Sequence, residues 1–119
     1  MAIAAIGVSS SGWASGYLTS MGQGVVVTSY VMNNSVPPGS GTGMTLFVSG
    51  TISNPDACVA TDKIHIPSTV PNYSTLVAAV MSAVAAGQSI GFWSSGCSVI
   101  SFWGGSVTYP QAWTLWVVP

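Results

Sequence analysis

Residues 56–65, DACVATDKIH, hold the groups of this chain most able to do chemistry. Both acidic residues (Asp56 and Asp62), the single Lys (Lys63) and the single His (His65) of 119 residues fall there, together with Cys58, one of two cysteines. Three chemistries use such groups: nucleophilic attack by a Ser-His-Asp set, acid–base transfer between paired charges, and metal binding. Each lacks a part. On a strand Lys63 and His65 project to one side and Asp62 to the other, whereas a triad needs its carboxylate behind the imidazole and a Ser in front. There is no Glu anywhere, and no G-x-S-x-G, H-E-x-x-H or phosphate-loop pattern. Two carboxylates give acid–base chemistry little to work with. Two sulfurs and one His fall short of the four ligands of a usual zinc site. The sequence therefore predicts a non-enzymatic protein with no catalytic residue, no cofactor and no metal.

The same residues have plain structural uses. The run NPDA, 54–57, has turn chemistry, with Pro55 fixing φ and Asp56 bonding nearby backbone. Asp62 and Lys63 are expected as an exposed pair on a strand edge, opposing unwanted pairing or setting register at a subunit contact. His65 is expected as a hydrogen-bonded strand residue.

Charge is scarce: 3% of residues, with a net charge of −1, against roughly a quarter in ordinary globular chains. Disorder does not follow, because 49% is apolar and five residues are Trp. One Lys and no Arg cannot neutralise a phosphate backbone, so nucleic acid is not an expected partner. With almost no repulsion between copies, self-association is. The longest apolar run, 76–86, is about half the ~20 residues of a membrane-spanning helix, so no span is expected. The opening MAIAAIGV lacks the basic start of a leader peptide. The length suits one domain, 1–119.

Most of the chain reads as strand: 24–32, 44–52 and 58–66 by β-branched content and alternation, then 89–95, 96–105 and 112–118. The run 33–43, rich in Asn, Pro and Gly, is a loop. The period changes over 71–87, where Tyr73, Leu76, Val77, Val80, Met81 and Val84 recur at helical spacing. Thr69 or Asn72 is placed to cap that helix, and Gly87 to end it. The fold class is α+β, mainly β, with one helix at about 71–87. Ala78, Ala79, Ser82, Ala83 and Ala86 leave the rest of the helix small and uncharged, which suits contact with another copy. Cys58 and Cys97 are open to three uses: buried thiols, metal ligands or a disulfide. The disulfide is favoured, and would close a loop of about 40 residues worth about 4 kcal/mol.

The second half also carries a resemblance. Ala-Cys followed by Asp-Lys-Ile-His-Ile, Pro-Asn-Tyr opening an Ala-rich helix that ends Ala-Ala-Gly-Gln, then Gly-Cys-Ser and a late Tyr-Pro, resembles the B subunits of pentameric AB-type bacterial toxins over about 57–118. The nearest likeness is to the subtilase cytotoxin B subunit. The resemblance implies a small OB-like barrel with one helix facing a pore, a Cys58–Cys97 disulfide, and glycan binding. Residues 1–50 carry no resemblance, and no sugar-binding residue transfers by position.

Aromatic residues are the remaining candidates. Trp93, Trp103, Trp113 and Trp116 suit packing better than a sugar platform. Trp13 and Tyr17, in a Gly/Ser-rich setting, suit either, and are the candidate glycan contacts. The expected function is a self-assembling structural subunit, of a virion or other surface lattice, whose partners are copies of itself. The alternative is a secreted glycan-binding B-type subunit. Either places the chain outside the cell or on a virion surface.

Overall fold

A computed structural model describes residues 16–33, 42–100 and 107–119. In order the elements are β1 (Gly16–Tyr17), β2 (Val25–Asn33), β3 (Gly43–Ser49), β4 (Lys63–Pro67), helix α1 (Tyr73–Ala86), β5 (Ser89–Val99) and β6 (Thr108–Val118). Hydrogen bonding runs β1-β5-β2-β3-β4-β6, and β6 pairs back onto β5. Five strands thus close a barrel, β2-β3-β4-β6-β5 and round to β2. All its pairings are antiparallel except β4 with β6, which meet in parallel at His65 and Gln111. That strand order, with the helix between the third and fourth barrel strands, is that of an OB-like barrel. Closure leaves few open edges. β2 takes Ser89 and Ile90 of β5, and β1 takes Trp93 and Ser94 further along the same strand.

Alternation decides what fills the barrel. Met44 and Leu46 of β3, Ile64 and Ile66 of β4, and Ile90 and Phe92 of β5 are fully buried and pack together, each worth about 1.5–3 kcal/mol when burial is complete. α1 adds Val80 and Ala83 to this core, with Tyr73, Leu76, Val77 and Val84 packed at its margin. Gly87 ends the helix at φ 71, its N–H reaching Val84 and the next N–H reaching Ala83. Only a residue without Cβ enters that left-handed turn freely.

Several boundaries differ from the sequence reading. The expected strand 58–66 begins only at Lys63. Asn54 wraps its amide around Cys58, accepting from the Cys58 N–H at 2.8 Å and donating to the Cys58 carbonyl at 2.7 Å, and Ala57 sits at φ 55. Both hold 54–58 in a turn. β5 continues without a break from 89 to 99, absorbing Gly96 at φ 119 into an irregular register opposite β6. Asn72 stands at the helix start in a left-handed conformation, with no cap bond from its side chain. Met81, expected on the buried face, is 46% exposed.

Candidate functional site

The charged stretch 56–65 is divided among three environments. Asp56 is buried, and its Oδ2 accepts hydrogen bonds from the Ser94 hydroxyl and from the Gly96 N–H at 2.9 Å. The Cys58–Cys97 disulfide forms beside it, with Cα atoms 5.6 Å apart. Thr108 takes up the Val59 N–H on its hydroxyl and the Ala60 N–H on its carbonyl. A segment without regular structure is thus pinned to β5 and β6 by one covalent bond and four hydrogen bonds. Asp56 does not serve its own turn as expected; its partners lie some 40 residues on.

Lys63 is not an edge charge. Its strand lies between β3 and β6, and the side chain is buried. Its Nζ is 2.9 Å from Asp62 and 5.1 Å from the ring centres of both Phe47 and Tyr109. The aromatic faces offset part of the desolvation of the ammonium, and its stem covers apolar surface. The sequence carried no signal for this, because single-strand alternation cannot reveal that both faces of β4 are covered.

His65 is 1% exposed, with Nδ1 3.0 Å from the Thr45 hydroxyl and Nε2 without a hydrogen-bond partner. Burial pushes its pKa down from 6.5 to about 4, opposed by the Thr42 backbone. The imidazole is neutral near pH 7, so it carries one N–H and one lone pair. Because its folded pKa is depressed, stability is fully present above pH 6.5 and falls as the pH drops through 6.5 toward 4. The expected loss is about 3 kcal/mol. Denaturant melts across that window check it: His65→Gln should flatten the slope.

His65 also lines a cleft of about 140 Å³ with Thr42, Pro67, Thr69, Ser98, Val99 and Gln111. Ser98 donates to the Gln111 side-chain oxygen, and the Gln111 amide donates to the Ser95 carbonyl at 3.1 Å. Among the described residues no three His, Cys, Asp or Glu side chains gather as a metal site.

Of the aromatic candidates, Trp13 and Trp103 lie outside the described residues. Tyr17 is 38% exposed and meets Trp93 edge-on at 4.8 Å and Trp116 at 6.0 Å. Trp116 lies over Gly91, where a Cβ would come within 2.1 Å of the indole, and its Nε1 donates to the Gln23 carbonyl at 3.0 Å. These rings form a patch on the outer face of β5 and β6. Trp113 is 48% exposed.

On α1, Ala78, Ser82 and Ala86 are exposed and Ala79 is half-buried. Ala83 is 1% exposed, inside the core of its own chain. It is three residues from Val80, hence on the inward face, and cannot serve an interface.

No family model, curated protein or solved structure matches this chain. No helix among the described residues is long and apolar enough to cross a membrane.

Proposed function

We propose that this chain is a non-enzymatic subunit that assembles with copies of itself through uncharged faces of its OB-like barrel. One observation carries this reading: of three charged side chains in the whole sequence, Asp56 and Lys63 are buried and only Asp62 stands in solvent. A soluble monomer commonly keeps about 25–35% of its surface charged. Here Met21, Val26, Met32, Val59, Met81 and Trp113 are exposed instead, on a surface with nearly no charge to repel another copy. The disulfide suits an oxidising setting, outside the cell or on a virion. A ring related to the toxin B subunits and an open surface lattice both use these features.

Native mass over a range of concentrations tests the proposal. The expected result is a species several times the mass of the chain, shifted toward monomer by Ser82→Glu on the exposed helix face. A closed pentamer favours the ring, and an open filament or shell favours the lattice. A monomer at every concentration overturns the proposal. A second reading, glycan binding, rests on the Tyr17, Trp93 and Trp116 patch, since aromatic faces and edges suit sugar rings. Saturable binding on a glycan array, lost in Tyr17→Ala, is its test.

A further inference from the structure

Two stretches of the chain carry the acceptor pattern for N-linked glycosylation, Asn-x-Ser with x other than Pro: Asn33-Asn34-Ser35 and Asn72-Tyr73-Ser74. So short a pattern recurs by chance, and the fold decides whether either stretch can carry a sugar. It treats the two oppositely. Asn33 ends β2, stands opposite Gly43 of β3, and is 5% exposed. A branched glycan on its amide nitrogen would have to enter a close-packed interior. Asn72 is exposed, in the turn that opens α1, and so are Thr69, Pro71, Ser74 and Thr75 around it. Tyr73, between the two pattern residues, packs against the core and leaves Asn72 and Ser74 on the water side.

The backbone explains why the Asn72 amide is uncommitted. A capping Asn ordinarily lies in the extended region and bonds an N–H of the first turn through its side chain. Asn72 is left-handed instead, at φ 57 and ψ 35, a conformation that Asn tolerates better than most residues. Its carbonyl accepts from the Thr75 and Leu76 N–H groups at 3.0 and 3.1 Å, while its side chain makes no cap bond. The backbone thus holds the helix start, and a substituent on the side-chain nitrogen breaks no cap bond.

We propose that Asn72 is an N-glycosylation acceptor and that Asn33 is not. The donor class is an oligosaccharide carried on a polyprenyl diphosphate, presented by a transferase in an oxidising secretory compartment where the Cys58–Cys97 disulfide also forms. The bond from Asn72 Nδ2 to the sugar C1 forms, the C1–O bond to the diphosphate breaks, and one amide proton is released with the free polyprenyl diphosphate. The inference rests on the extracellular setting proposed above and is independent of self-assembly. A bulky, hydrated glycan at the opening of α1 would supply solubility that this surface does not obtain from charge.

The test sends the full chain through a eukaryotic secretory pathway behind a leader peptide and maps peptides of the folded product by mass. Release of the glycans by an amidase marks each occupied site as an Asn-to-Asp change. The expected result is a glycan at Asn72 on most molecules, with Asn33 bare. Ser74→Ala should abolish the modification and Ser74→Thr should keep it, with thermal melts unchanged in both, because position 74 is exposed. A folded, secreted protein that is bare at Asn72 overturns the proposal. So does a folded protein that carries its glycan at Asn33. The same map reads the Cys58–Cys97 bond, so a failed acceptor is told apart from a failed oxidising setting.

Discussion

Replacing Cys58 and Cys97 together by Ser is expected to lower the free energy of unfolding by about 4 kcal/mol, read as a lower urea midpoint with the same steepness. The bridge spans a sequence separation of 39, and loop closure on that scale accounts for the whole figure on the chain-entropy model. The cost is felt locally first. Between Ser49 and Lys63 the chain has no strand or helix, so the disulfide, the Asp56 clamp on β5 and the two bonds to Thr108 of β6 hold it in place. A loss below about 1 kcal/mol would show that the Asp56, Ser94 and Gly96 bonds suffice by themselves. Since total stability of small domains is about 5–15 kcal/mol, the full loss would remove between about a quarter and most of it.

What the sequence made legible was local. α1 announced itself through Leu76, Val77, Val80 and Val84 at helical spacing and through Gly87, because a single helix face and a left-handed stop are fixed within a few residues. β2 and β3 were legible through β-branched content and alternation. The role of Asp56 was not, because its partners on β5 are about 40 residues away and only barrel closure brings them together. His65 is the hydrogen-bonded strand residue that the sequence led one to expect, whereas Lys63 misled for a related reason. Alternation gives a strand one wet face, but β4 is covered on both, and the Lys63 ammonium bonds to the neighbouring Asp62 carboxylate. Gly96 was read as a break because glycine marks turns; in the barrel it sits in an irregular stretch of one long strand. The cleft beside His65 had no signal at all: Thr42, Thr69, Ser98 and Gln111 are ordinary polar residues until β4, β5 and β6 converge.

Ala83 separates folding from assembly along one helix. Ala83→Glu is expected to cost about 5 kcal/mol, enough to unfold much of the population, because it forces both volume and an unpaired charge into a filled core. Val80, one turn earlier, is 0% exposed, and no cation lies within the cluster that surrounds both. Pairing relief is not available either, since Lys63 is the sole cation in the chain and is already engaged by Asp62. Ala86→Glu, one turn further toward the C-terminus on the exposed face, should instead change stability by less than about 0.5 kcal/mol. If the helix face packs between copies, that same Ala86 variant should still lose assembly, because a charge desolvated at an interface has no partner. Circular dichroism melts of the two variants, each paired with a native mass, distinguish the effects. A folded Ala83→Glu protein with an unchanged midpoint would mean that α1 does not pack on the barrel through Val80 and Ala83. A dissociated but fully folded Ala86→Glu protein would place the outer helix face between subunits, where its lack of Lys and Glu has a physical reason.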